Sequence, residues 1–234
     1  MLLDYSSQGG FSSRPHHALR CSYFEAINLA GGLPVGLPYL SEAIGDYLDY
    51  IDGLLVPGGF YSFPSNLYGQ AQHGDEIIHP RYAFENALTL SALQCDMPVL
   101  GICAGMQVLA AAKGALLHKS IDRELHTLYD HLNERPAEEP AHPIKIEHGT
   151  QLHTILGVEH LDVNTAHNEA LKTVPETIMV SAWAPDGIIE GIECLDQQFA
   201  IGVQWHPEFF IEREGPNLKL FRAFLSACQK GTVT

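Results

Sequence analysis

Gly101-Ile102-Cys103-Ala104-Gly105 is the stretch of this chain best equipped for chemistry. It follows an apolar run, Met97-Pro98-Val99-Leu100, that reads as a buried strand, and it opens a helix-forming stretch from Met106 to Ala112. Strand, sharp turn, nucleophile and helix together make a nucleophile elbow. The flanking glycines are read as the residues that let the backbone turn, leaving the sulfur exposed at the strand's carboxyl end. The helix behind it aims the positive end of its dipole at the sulfur. The other four cysteines, Cys21, Cys95, Cys194 and Cys228, have no such setting and read as inert.

A base for this nucleophile lies near the C-terminus. Phe199 to Trp205 reads as a strand that ends in His206-Pro207-Glu208. Proline disfavours the helical region for the residue before it, so His206 is expected to be extended. Positions i and i+2 of an extended chain share a side, which would set Glu208 beside His206. The carboxylate then orients one imidazole nitrogen and leaves the other to take the proton from Cys103. A third stretch, Leu54-Leu55-Val56-Pro57-Gly58-Gly59, reads as a strand ending in a glycine turn that can present N–H groups to a substrate. The N–H groups of Gly59 and Ala104 are the expected donors to a tetrahedral oxyanion.

The stretches Gly101 to Gln107 and Gly202 to Glu208 resemble the two signature motifs of class I glutamine amidotransferases, and the chain is most similar to the γ-glutamyl-γ-aminobutyrate hydrolase group, peptidase family C26. The likeness extends to Ala30-Gly31-Gly32-Leu33-Pro34-Val35, to Leu67-Tyr68-Gly69, to Arg81 through Glu85, to Val163-Asn164-Thr165-Ala166-His167 and to Ala184 through Glu190. The resemblance implies a flavodoxin-like α/β sandwich with a mostly parallel central sheet and a small antiparallel extension. It implies hydrolysis of a γ-glutamyl amide through a γ-glutamyl thioester, with Cys103, His206 and Glu208 catalytic. It further implies that Gln107, Asn164, Thr165, Ala166 and His167 hold the glutamyl group, and that no cofactor is needed. Two alternatives stand beside it: a glutaminase subunit that feeds ammonia to a separate synthetase, and a non-catalytic binding protein on the same fold.

The chain departs from the group's pattern in several places. Ala104 stands where arginine usually follows the nucleophile, Asn168-Glu169 where a His-Gln pair is usual, and His118-Lys119 where Gln-Asp is usual. Only a backbone N–H is required at position 104 for the oxyanion, so the chemistry survives that change. The first strand looks short, with Met1-Leu2-Leu3-Asp4 before Tyr5.

The elements that must position these residues are legible as alternating segments. Helix-like Phe24 to Ala30, Ser41 to Tyr50 and Arg81 to Gln94 each lead into a strand-like run, at Pro34-Val35, Leu54-Leu55-Val56 and Val99-Leu100. Such alternation argues for a parallel sheet covered by helices, with ligands at the carboxyl ends of the strands. Ile144-Lys145-Ile146 and Ile178-Met179-Val180 are expected to build the antiparallel part. Phe60 to Pro80 reads as a substrate-pocket wall and Asn133 to Pro143 as an exposed connector.

At 234 residues and 46% hydrophobic content, one domain spanning 1–234 is the simplest count. A net charge of −15 argues against nucleic acid or an anionic membrane as partner, and the resemblance implies a small-molecule γ-glutamyl substrate. A homodimer is compatible with the sequence. Five cysteines without paired spacing, and no basic segment followed by an apolar run at the N-terminus, suit a cytoplasmic protein. Thirteen histidines scatter along the chain without His-Glu-x-x-His or Cys-x-x-Cys spacing, so no metal site is expected.

Overall fold

The computed structural model describes residues 1–2, 4–6, 13–71, 76–211 and 215–230. The chain begins with a small hairpin of β1 (Asp4–Ser6) and β2 (His16–Ala18). Then come α1 (Cys21–Ala30), α2 (Ile44–Tyr50), β3 (Leu54–Val56), α3 (Pro80–Gln94), β4 (Val99–Ile102) and α4 (Ala104–Ala112). The second half holds β5 (Leu116–His118), α5 (Ile121–Glu124), β6 (His142–Ile146), α6 (Gln151–Leu156), β7 (His160–Val163), β8 (Ala170–Thr173), β9 (Ile178–Trp183), β10 (Ile189–Cys194), β11 (Ala200–Val203) and α7 (Pro216–Lys230).

Seven of these strands form one sheet in the order β3-β4-β11-β10-β9-β6-β7, and β5 pairs separately with β8. β3, β4 and β11 run parallel, and every later neighbour is antiparallel. Beyond β3, Leu2 donates its N–H to Leu55 O (3.3 Å) and bridges Leu37 in parallel, so two short rungs extend the parallel edge. The fold is the expected α/β sandwich, with an antiparallel portion larger than the sequence suggests. Of the short first strand, Leu3 lies outside the described residues.

Strand alternation creates two cores. Leu54 and Val56 face Leu88, Val108 and Leu109 of α3 and α4, whereas Leu55 between them packs with Tyr23, Ile27, Phe221 and Phe224 of α1 and α7. All three strand residues are buried, and each such side chain contributes about 1.5–3 kcal/mol. The parallel strands are therefore held from both faces, and their carboxyl ends carry Gly58-Gly59, Cys103 and His206 to one place. No helix among the described residues is long and apolar enough to cross a membrane.

Candidate active site

Cys103 sits between β4 and α4 with φ 53° and ψ −112°, a conformation that non-glycine residues avoid. Strain of this kind costs on the order of 1–3 kcal/mol and persists only where the surroundings impose it. Here they do: Cys103 N–H donates to Val203 O of β11 at 2.8 Å, and Cys103 O accepts from Met106 and Gln107 in the first turn of α4. The flanking glycines are not at positive φ. Their role differs from the one expected, because the turn freedom resides on the cysteine itself. Glycine is needed for space: a Cβ at Gly105 would lie 1.9 Å from Val56 O, and one at Gly101 would lie 2.5 Å from Gly105 O. Gly105→Ala is accordingly expected to lower stability by about 1–3 kcal/mol; an unchanged denaturation midpoint would contradict this packing.

His206 ends the segment after β11, and its Nδ1 lies 2.7 Å from Glu208 Oε1, both side chains buried. Cys103 hydrogen-bonds the same imidazole. With Nδ1 engaged by Glu208, Nε2 is left for the sulfur. Burial pulls the His206 pKa down, but the charges of Glu208 and Cys103 outweigh it and hold the pKa up at about 10. Strand alternation is not what pairs His206 with Glu208. Pro207–Phe209 forms a single 3-10 turn, which folds the carboxylate back onto the ring.

The expected oxyanion donors are free to act. Among the described residues, neither Gly59 N–H nor Ala104 N–H donates to a protein acceptor, and Ala104 opens a helix whose first N–H groups are unpaired by construction. Two residues to which the sequence reading gave no role, Tyr23 and Arg81, shape this corner. Gly58 N–H donates to Tyr23 Oη at 2.9 Å, and a Cβ at Gly58 would fall 2.6 Å from His206 Cε1. Arg81, fully buried, donates from Nη2 to Pro57 O and Gly58 O, each at 3.0 Å, and from Nε to Glu85 Oε1 at 2.8 Å. It thus fixes the carbonyls of the glycine turn that lies against Cys103. A buried arginine in an i, i+4 pair with Glu85 is the one signal the sequence carried for this brace.

Cys103, Gly59, Phe60 and Ala166 stand between two adjoining cavities. One, about 280 Å³, is bordered by Tyr61, Ser62, Gln107, Asn168 and Glu169. The other, about 210 Å³, is bordered by Arg20, Asn133, Arg135, His206 and Phe209. Phe60 to Ser62 supply the wall expected of the 60–80 loop, of which residues 72–75 lie outside the described residues. The stretch from Asn133 is more than an exposed connector: Asn133, Arg135 and Ala137 line the cleft, and His142 and Pro143 already belong to β6. A further cavity of about 400 Å³ lies at the other end of β3 against α7 and holds no candidate chemistry.

The residues expected to hold substrate divide into two sets. Gln107 and Ala166 border the cleft, Gln107 with its amide nitrogen bonded to Glu169 O (2.9 Å) and Gln204 Oε1 (3.1 Å). Asn164, Thr165 and His167 line it too, and their side chains also make hydrogen bonds within the protein. Asn164 accepts from His206 N–H at 2.8 Å and donates to His206 O at 3.1 Å, so it grips the backbone of the base. Thr165 Oγ1 donates to His131 O. His167 donates from Nδ1 to Glu169 O (2.9 Å) and turns Nε2 inward, and burial lowers its pKa to about 4. Of the departures from the family pattern, Asn168 bonds Lys119 O at the surface. Glu169 accepts from Tyr68 Oη, and burial raises its pKa to about 7 against the opposing pull of Tyr68 and Lys119.

His167 turns toward a buried group that linear spacing conceals. His131, His142 and His167 surround Glu190, from separate stretches of the chain. Only the fold brings them together.

The comparisons with known proteins agree with this architecture. The peptidase C26 family model matches residues 2–208. A γ-glutamyl-γ-aminobutyrate hydrolase of Escherichia coli O157:H7 is 34% identical over 220 residues, which cover 90% of this chain and 86% of that protein. A glutamine amidotransferase-like protein of Rickettsia prowazekii is 32% identical over 257 residues, covering 93% and 91%. Among solved structures, one described as a GMP synthase component from Thermoplasma acidophilum superposes with a TM-score of 0.65 at 18% identity, covering 98% of this chain and 93% of that one.

Proposed function

The chain belongs to the peptidase C26 family of glutamine amidotransferase-like hydrolases, and from that premise we propose that it cleaves the γ-glutamyl amide bond of a small γ-glutamyl compound through a γ-glutamyl thioester on Cys103. The observation that carries this reading is the meeting, at one strand edge, of a strained cysteine, a His206–Glu208 pair and two undonated N–H groups.

The Cys103 thiolate attacks the γ-carbonyl, and the oxyanion that forms accepts from Gly59 and Ala104 N–H. Protonated His206 donates from Nε2 to the leaving amine, and the thioester remains on Cys103. His206, now neutral, takes a proton from water, whose oxygen attacks the thioester carbon. Collapse of the second tetrahedral species expels the thiolate and releases glutamate. Glu208 holds the imidazole and Asn164 the backbone of His206 through both steps.

The two cavities suggest how the substrate lies. The larger one presents Gln107 and the Glu169 carboxylate, a match for the amide edge and α-ammonium of a glutamyl group. The smaller one presents Arg20 and Arg135, the cationic side of an otherwise acidic chain. They match a leaving amine that bears a carboxylate, as γ-aminobutyrate does. Arg135→Ala is expected to raise KM for γ-glutamyl-γ-aminobutyrate by about tenfold, the low end for an exposed charged hydrogen bond, and to leave KM for glutamine almost unchanged. Equal effects on both substrates would place the amine elsewhere.

Glutamate release from glutamine, γ-glutamyl-γ-aminobutyrate, γ-glutamyl anilide and folate polyglutamate tests the reading. Preference for the carboxylate-bearing small amine supports it. Hydrolysis of glutamine alone, rising only when a synthetase is added, would replace it with an ammonia-supplying role.

A further inference from the structure

We propose that His131, His167 and Glu190, with His142 as fourth ligand, form a buried divalent-metal site suited to Zn²⁺, separate from the cysteine site. His131 Nδ1, His142 Nε2 and His167 Nε2 lie 3.7, 3.8 and 3.6 Å from one oxygen, Glu190 Oε1. The donor atoms of His131, His167 and Glu190 all fall within 4.8 Å of one another. All four side chains are buried, and these three nitrogens and both Glu190 oxygens have no hydrogen-bond partner.

The second nitrogen of each ring explains why. His131 Nε2 lies 3.1 Å from the Asp186 carboxylate, which only accepts, so that nitrogen carries the proton. His142 Nδ1 donates to Pro143 O at 3.1 Å, and His167 Nδ1 donates to Glu169 O at 2.9 Å. A ring that carries only this proton turns a bare lone pair toward Glu190, itself an acceptor. A proton on Glu190 could satisfy one of the three lone pairs and would leave the other two bare. Four acceptors that face one another without a donor call for a cation between them. Metal-binding histidines characteristically give their other N–H to a carboxylate or a carbonyl, and all three do so here. Imidazole nitrogen with one carboxylate is a donor set for Zn²⁺ rather than for Ca²⁺ or Mg²⁺. Tetrahedral donors on bonds of about 2.0–2.1 Å lie roughly 3.3–3.4 Å apart, so the rings must close on the ion, and His142, outside the group of three, joins them on binding.

Four protein ligands leave no open position, which assigns the ion a structural role. It would tie the stretch at His131, β6, the 164–169 segment and β10 into one unit. His131 O accepts from Thr165 Oγ1 and from His167 N–H, and Asn164 grips His206. The ion would thereby stiffen the cleft wall that holds the base, without touching substrate.

The test begins with metal content of the purified full chain. The protein is then dialysed against a chelator and titrated with Zn²⁺ and with Co²⁺. One equivalent per chain, a rise in melting temperature with Zn²⁺ and the intense visible absorption of four-coordinate Co²⁺ are expected. The same signals are expected in Cys103→Ala, because the site excludes that sulfur. The His131→Ala/Glu190→Gln variant should lose them. Absence of saturable binding by the wild-type chain, which needs no variant to fold, would overturn the proposal. So would binding lost in Cys103→Ala, which would move the ion to the cysteine site, or binding retained undiminished in the double variant.

Discussion

Cys103→Ala is expected to lower kcat on a γ-glutamyl amide by on the order of 10⁶-fold, the scale seen when the nucleophile of a covalent hydrolase is removed. The fold should remain. Alanine fills less space at a site already walled by Val203, Gly58 and α4, and the hydrogen bonds that hold the elbow are backbone bonds that alanine also makes. Relief is not expected either, because alanine at φ 53° carries the same backbone strain as cysteine. Turnover within a few-fold of wild type, in a protein with an unchanged melting temperature, would remove Cys103 from the reaction. Thioester chemistry would fall with it.

Glu208→Gln should have the second largest effect, and it separates orientation from charge. The glutamine can still meet His206 Nδ1, but it brings no negative charge to a buried imidazole. Burial lowers the His206 pKa, and Glu208 is the largest influence that raises it, so loss of that charge lets the pKa fall from about 10. The leaving amine needs an imidazolium, so activity in the wild type is lost as pH rises through about 10. In Glu208→Gln that alkaline limb moves to lower pH. A loss of kcat of about 10⁴-fold is expected, by the standard of replacing the orienting carboxylate of a triad with its amide. The pH dependence of kcat/KM checks both parts, read as the apparent pKa of the coupled Cys103–His206 pair. An alkaline limb that stays in place would mean that Glu208 orients the ring without setting its charge.

Local sequence carried the centre of this site and little of its surroundings. Cys103, His206, Gly59 and Ala104 were legible because each lies at the end of a short apolar strand followed by a turn, and such ends converge on a parallel sheet. The physical reasons were less legible. The elbow's unusual backbone angle sits on Cys103, and its glycines are required by the approach of Val56 O and Gly105 O, contacts that no local pattern encodes. The pairing of His206 with Glu208 comes from a 3-10 turn rather than from strand alternation.

Long-range contacts account for the rest. Tyr23 and Arg81 act on the glycine turn from α1 and α3, and Arg135 reaches the cleft from a stretch whose Glu and Pro content resembled an exposed connector. The family resemblance directed attention to Asn164 and His167. Their side chains also bond the backbone of the base and face the buried histidine group, roles that the resemblance did not indicate. That group was invisible to a search for metal-ligand spacing, because its members come from separate elements.

Trapping the acyl-enzyme tests the central claim most directly. Wild-type protein is mixed with γ-glutamyl-γ-aminobutyrate, quenched in acid within the first turnovers, and its intact mass and peptides are measured. The account predicts a mass gain of one γ-glutamyl group on the peptide that contains Cys103, removed by hydroxylamine and absent in Cys103→Ala. Substrate turnover with no adduct in a burst resolved on the time scale of kcat, or an adduct on any other residue, would contradict it.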